Sequence, residues 1–242
     1  MAAALALLLT LLLALPVRAQ DFEACREQFF AEFVPRLLQP RTDNLQALCF
    51  EGFALLHSGQ AKGPVYVAEY LHPARLKDAR GIPRSNIFYE EARLPRADRA
   101  TLEDYQGAGY DRGHLAPAAD MPTPSANAQS FSLANMVPQA HEHNRGPWAK
   151  SVERATRHYV ERGNEVYVIT GPIYSAPVRT IGAGQVWVPE ALFKLVYDPA
   201  RRRAWAYIVP NDNQARVEGT YSYAELVRRT GIEFLPPGAV EE

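Results

Sequence analysis

Fourteen residues, Gly107-Ala108-Gly109-Tyr110-Asp111-Arg112-Gly113-His114-Leu115-Ala116-Pro117-Ala118-Ala119-Asp120, gather side chains suited to proton transfer and anion binding. The His114 imidazole can take a proton near neutral pH. Arg112 offers a planar guanidinium that matches carboxylate or phosphate oxygens. Gly113 lets a ligand or another backbone approach closely, and Asp111 can orient a neighbour or balance Arg112. Each residue alone is commonplace on a protein surface. Packed behind two turn glycines, they read as a site.

The stretch Tyr110-Asp-Arg-Gly-His-Leu-Ala-Pro117 resembles the signature of the DNA/RNA non-specific endonucleases, a family of the ββα-metal or His-Me finger superfamily. Two further blocks follow in order, Phe131-Ser-Leu-Ala-Asn-Met-Val-Pro-Gln139 and His143-Asn-Arg-Gly-Pro-Trp148. The resemblance extends over Cys49 to Val209. It implies that His114 is the general base that activates water. It implies Asn144 as the sole protein ligand of a Mg²⁺ ion (with Mn²⁺ as a substitute), and Asn135 as support for the ion's water shell. The chemistry divides accordingly: attack on an anionic phosphodiester needs a deprotonated water, and the departing alkoxide needs a cation. Family-like products carry 5′-phosphates and 3′-hydroxyls.

Three positions keep two readings open. Asn144 precedes a Pro-started helix, where Asn commonly caps. Glu153 matches a helix glutamate that relatives use to hold metal-bound water, but it comes nine residues after Asn144 instead of eight. Nine positions of a regular helix turn about 900°, which places the two on opposite sides unless an extra residue near Gly146-Pro147 absorbs the shift. Arg84, 30 residues before His114, stands near the family's arginine for the scissile phosphate, with Arg80 and Arg93 as rivals. Between residues 75 and 99, seven basic residues face four acidic ones, either a phosphate-binding patch or a solvated loop. His141 and His143 flank Glu142 without HExxH spacing or a third ligand, so they are read as solvent-facing.

The elements that must position these groups follow from periodicity and turn residues. Asp21 to Leu38 reads as a helix, with Phe22, Phe29, Phe30, Phe33 and Leu37 on one face and Pro40 as its stop. Cys49–Leu56, Val65–Tyr70, Tyr110–Leu115, Phe131–Val137, Glu165–Thr170, Gln185–Tyr197 and Arg203–Val209 read as strands. Leu71 to Asp104 and Ala116 to Asn127 read as mostly irregular. The Pro147 to Arg162 segment reads as a helix closed by Gly163, and a short helix is expected near Tyr223 to Arg229. Trp148 and the aromatic stripes are assigned to core. The fold class is α+β: a mixed, mostly antiparallel central sheet flanked by helices, with a ββα-metal finger implied by the resemblance.

Composition sets the outer limits. The 242 residues are 47% hydrophobic and 22% charged, which describes a folded protein and excludes a disordered tail or a collagen-like rod. With 26 basic and 27 acidic side chains, a polyanion must be met by a local patch. Residues 1–19 read as a secretory signal: an apolar Leu/Ala run, then Pro16-Val17-Arg18-Ala19 as turn and cleavage site. Residues 20–242 then form one nuclease domain, exported to the periplasm or secreted, with no stable membrane association after cleavage. In an oxidising compartment Cys25 and Cys49 are expected to form a disulfide, two separate buried thiols being the other reading.

The expected function is therefore an exported, Mg²⁺-dependent, sugar-non-specific endonuclease acting on DNA and RNA. The alternatives are a catalytically weak nucleic-acid-binding protein on the same scaffold, or a phosphodiesterase for small or lipid substrates. Oligomeric state and any inhibitor partner are left open.

Overall fold

The structure is a computed structural model that describes residues 22–40 and 43–241; the proposed signal segment lies outside them. In chain order its strands are β1 (Arg36–Leu37), β2 (Leu45–Cys49), β3 (Ala54–Ser58), β4 (Gly63–Leu71), β5 (Asp111–His114), β6 (Met136–Gln139), β7 (Val166–Ile173), β8 (Arg179–Ile181), β9 (Val186–Val188), β10 (Ala191–Asp198), β11 (Arg203–Pro210) and β12 (Ile232–Glu233). Six of them build one sheet in the order β11-β10-β7-β4-β3-β2. Every pairing in it is antiparallel.

Strands β4 and β10 are buried along almost their whole length, because both faces of the sheet are covered. Alternation sorts their side chains. Tyr66, Ala68, Phe193 and Leu195 pack with Phe22, Phe29, Leu226 and Phe234 on one face. Val67 and Leu192 pack on the other with Leu115, Val137, Trp148 and Val152. That second face carries the site.

Several expectations need correction. Residues 22–38 are not a continuous helix: two 3-10 turns, Glu23–Gln28 and Phe30–Glu32, lead into β1. Cys25 leaves helical geometry (φ −149°) where it is bonded to Cys49, and Phe29 is extended between the two turns. Fixing Cys25 to the sheet edge and burying Phe22 and Phe29 against Tyr66 outweighs helical periodicity. The strand read over Cys49–Leu56 is the end of β2, a turn at Glu51-Gly52, and the start of β3. The second finger strand begins at Met136, since Leu133–Asn135 is a 3-10 turn. Within the segment read as irregular, Pro73–Ala79 is a helix. The disulfide itself is present, with Cα atoms 5.6 Å apart.

Candidate active site

Strands β5 and β6 form a two-stranded ribbon pairing Gly113 with Val137 and His114 with Met136. Gly107 and Gly109 take the positive φ values (68° and 78°) that the turn into it demands. Gly113 is required for another reason: a Cβ there would run into the Gln139 side chain crossing above it. The ribbon leads into a helix that starts at His141, six residues earlier than Pro147. It widens to π geometry over Asn144–Glu153, where Gly146 breaks the φ/ψ pattern, then runs as α-helix over Arg154–Glu161 to Gly163. Trp148, Val152, Thr156 and Val160, four apart, are its buried stripe. Two strands and this helix make a ββα finger laid on the sheet.

The widened turn places both helix residues on the cleft side. Asn144 is not an N-cap: it is helical (φ −58°, ψ −49°), its N–H donates to Ala140 O at 2.9 Å, and its side chain points elsewhere. Its Nδ2 donates to Asp111 Oδ2 at 2.9 Å, leaving Oδ1 as the atom able to face a cation. The i→i+5 pattern also takes up the ninth residue, so Asn144 and Glu153 line the same cleft.

That cleft has a volume of about 820 Å³, and His114, Arg84, Arg112, Asn144 and Glu153 all line it. His114 is 8% exposed, and its Nε2 is buried without a hydrogen-bond partner. Burial, with the Arg84 charge adding, lowers its pKa to about 3, so the imidazole is neutral at physiological pH. Phe131 meets the ring edge-on at 4.8 Å and Phe88 lies at 5.8 Å. The same two rings seat the arginines: the Arg84 guanidinium is 4.7 Å from the Phe131 centroid, and that of Arg112 is 4.1 Å from Phe88. Neither arginine enters an ion pair among the described residues. The rivals do: Arg80 pairs with Glu161, and Arg93 with Glu91 beside Cys49. Arg84 is therefore the member of the basic stretch that reaches the cleft with its charge available.

Two expectations fail here. Asn135 is fully buried and does not line the cleft: its Oδ1 accepts from Ala116 N, and its Nδ2 donates to Ala116 O and Ser130 O, each at 2.9 Å. With its polar atoms spent on backbone, it braces the chain just after His114 and does not reach a water shell. His143 is not solvent-facing. It is fully buried, 2.7 Å from Gln139 Nε2, because the earlier helix start turns it onto Trp148. His141 stays exposed as expected, beside Asp111.

Beneath the cleft lies a buried charge cluster that sequence reasoning missed. Arg157 bridges Asp120 (3.1 Å) and Glu153 (3.7 Å). Arg75 donates to the carbonyls of Asp120 and Gly52, and Lys194 donates to Thr170 Oγ1 at 2.6 Å. Burial pushes the Glu153 carboxyl upward in pKa, opposed by Lys194 and Arg157. Glu153 and Arg157 are an i,i+4 pair on one helix, but Asp120, Arg75 and Lys194 come from other parts of the chain, and only the helix lying on the sheet brings them together. Asp111 had a signal, its place in the first block, but its role is new. Burial alone would raise its pKa; donation from Asn144 and His141, with Arg145 nearby, outweighs that and holds it low.

No cluster of three or more His, Cys, Asp or Glu side chains suited to a metal occurs among the described residues. One neutral amide oxygen, on an amide whose nitrogen donates to a carboxylate, in an open cleft with Glu153, instead fits a hard cation that keeps most of its water.

A finger of two strands and a helix presenting a neutral imidazole and two seated guanidinium groups defines a protein of the ββα-finger class. Residues 38–240 match the model of the DNA/RNA non-specific endonuclease family. The chain belongs to that family. It is 31% identical to human mitochondrial endonuclease G over 204 residues, covering 77% of this chain and 68% of the relative. It is 33% identical to a nuclease of Nostoc sp. over 201 residues (76% and 70%). Against the human mitochondrial nuclease EXOG, identity is 29% over 214 residues, 79% of this chain but 57% of the relative's length. The fold matches the crystal structure of an EndoG/EndoGI complex with TM-score 0.71 at 23% identity, covering 81% of this chain and 87% of that one.

Proposed function

We propose that the protein is a divalent-metal-dependent endonuclease that hydrolyses phosphodiester bonds of DNA and RNA without regard to the sugar, with Mg²⁺ as the metal. The observation that carries this reading is the neutral imidazole of His114 lining a cleft shared with Asn144, Arg84 and Arg112.

In this reading the His114 imidazole accepts the proton of the attacking water, and its lowered pKa keeps it unprotonated before attack across the neutral range. Arg84 and Arg112, unpaired and stiffened by the rings beneath them, hold the phosphate oxygens in line. Asn144 Oδ1 would hold the metal ion, with Asp111 fixing the amide and Glu153 orienting water around the ion. The bound ion supplies positive charge to the departing oxygen. The chain's own contribution is to orient, to keep His114 unprotonated and to neutralise phosphate.

We also propose that the protein is exported. The Leu/Ala-rich segment of residues 1–19 supports this, as does the Cys25–Cys49 bond, which persists in oxidising compartments. Among the described residues no helix is long and apolar enough to cross a membrane. Fractionation with N-terminal sequencing of the purified protein tests export; a chain retained inside the cell with its first residues intact counts against it.

The nuclease reading is tested by nicking of plasmid DNA and cleavage of RNA, each with and without a chelator, on wild type and His114→Ala. Metal-dependent cleavage lost in the variant is expected. Binding without cleavage would leave a nucleic-acid-binding protein, and hydrolysis of a nitrophenyl phosphodiester without attack on polynucleotides would leave a small-substrate phosphodiesterase.

A further inference from the structure

We propose that a groove lined by Arg80 and Arg157 is a second phosphate subsite, which takes the next phosphodiester of the strand whose scissile phosphate lies at Arg84. The inference rests on the nuclease reading and adds the path of the substrate strand away from the reacting bond.

A second cavity, of about 330 Å³, adjoins the catalytic cleft. Arg84, Ala118 and Ala119 line both, so a strand can pass from one to the other along a shared wall. That wall is made of small residues from the 3-10 turn Ala118–Asp120. Arg80, at the end of the helix Pro73–Ala79, and Arg157 and Glu161, on the finger helix, line the groove beyond it. Three guanidinium groups thus face one carboxylate in its lining, an excess of two positive charges.

The groove is built in advance. Asn127, 3% exposed, accepts from the Ser85 N–H at 3.0 Å and donates from Nδ2 to Ala118 O at 2.9 Å, which ties the segment after Arg84 to the shared wall. Arg157 is held by Asp120 and Glu153, so its charge is largely answered. Arg80 differs. Its partner Glu161 lies at 2.8 Å, and the two side chains are 68% and 35% exposed. An ion pair so open to water is weak, and a phosphodiester presents oxygens that a guanidinium can hold in the carboxylate's place. The anion best suited to make that exchange is one tethered to a phosphate already at Arg84, because its binding is then intramolecular. Small phosphodiesters carry no such second group.

The test uses short single-stranded DNA with one native linkage, resistant phosphorothioates elsewhere, and an uncharged methylphosphonate moved one position at a time along either side. In wild type, neutralising the linkage next to the native one, on one side, should lower kcat/KM roughly tenfold. Arg80→Ala should erase the penalty at that position and keep those elsewhere. Glu161→Gln, which removes the competing carboxylate, should deepen it. A wild type indifferent to the neighbouring charge on both sides, or the same penalty in Arg80→Ala, would overturn the subsite and leave the nuclease reading standing. So would a protein that nicks plasmid DNA but leaves the oligonucleotide whole. A protein that cuts neither would overturn both.

Discussion

Asp111 and Asn144, 33 residues apart, meet at 2.9 Å, the carboxylate accepting from the amide Nδ2 and so leaving Oδ1 the atom without a hydrogen bond among the described residues. Asp111 stands at the start of β5 and Asn144 on the finger helix, so this bond ties the strand that carries His114 to the proposed metal ligand. Asp111→Ala should leave His114 in place but free the Asn144 amide to rotate. Loss of such a supporting carboxylate is expected to weaken metal affinity or activity about 10- to 100-fold. A Mg²⁺ titration of cleavage rate checks this. An unchanged metal requirement would detach Asp111 from the site.

Asn144→Ala separates function from stability. Because Asn144 lies inside a helix and not at its cap, Ala gains up to about 0.7 kcal/mol of helix propensity but loses a bond to the Asp111 carboxylate worth roughly 1.5–3 kcal/mol. The melting temperature should therefore fall modestly, with the protein still folded, while Mg²⁺-dependent cleavage collapses. Asn144→Asp retains an oxygen but places two carboxylates side by side, and should alter metal preference and slow turnover. Normal cleavage by the Ala variant would place the ligand elsewhere.

His114→Ala should lower kcat by roughly 10²–10⁴ with polynucleotide affinity largely retained, since the arginines seated on Phe88 and Phe131 remain. Assays at fixed salt are needed, because polyanion binding weakens steeply with ionic strength.

The same histidine makes stability acid-sensitive. In the unfolded chain its imidazole takes up a proton near pH 6.5, whereas in the folded chain burial delays protonation to about pH 3. The unfolded state then binds more protons, so the stability His114 confers is complete above pH 6.5 and is lost as pH falls through that window. His57, also lowered by burial, adds in the same direction. Urea unfolding of wild type should weaken from pH 7 to pH 5. The slope for His114→Ala should be shallower by up to about 1.4 kcal/mol per pH unit. Equal slopes would mean that His114 titrates normally in the fold.

Reduction of the Cys25–Cys49 bond should release the N-terminal turns and cost about 3 kcal/mol in the chain-entropy picture. Melting with and without reductant, or of Cys25→Ser with Cys49→Ser, measures it. A midpoint indifferent to reductant would show that Phe22 and Phe29 hold the segment unaided.

What could be read from the chain itself was local or block-like. Gly107 to Pro117 carries the candidate base His114, Arg112 and the three glycines the turn and ribbon require within eleven consecutive residues, and short-range turn chemistry suffices to form the ribbon they occupy. Strands such as β4 and β10 announce themselves because burial on both faces demands mostly apolar runs, broken here only by buried groups such as Glu69 and Lys194. Tertiary structure decided the rest. The helical periodicity of residues 22–38 yielded to a cross-link and two buried phenylalanines, which no local propensity registers. Asn135 and Asn144 look alike in sequence, yet one spends its amide on the backbone behind His114 and the other holds it toward the cleft. The ninth residue before Glu153 appeared as a misfit until a widened helical turn absorbed it. Asp120, Arg157 and Lys194 become neighbours of the site only when the helix lies on the sheet, because burial and charge pairing act through space and leave no spacing along the chain.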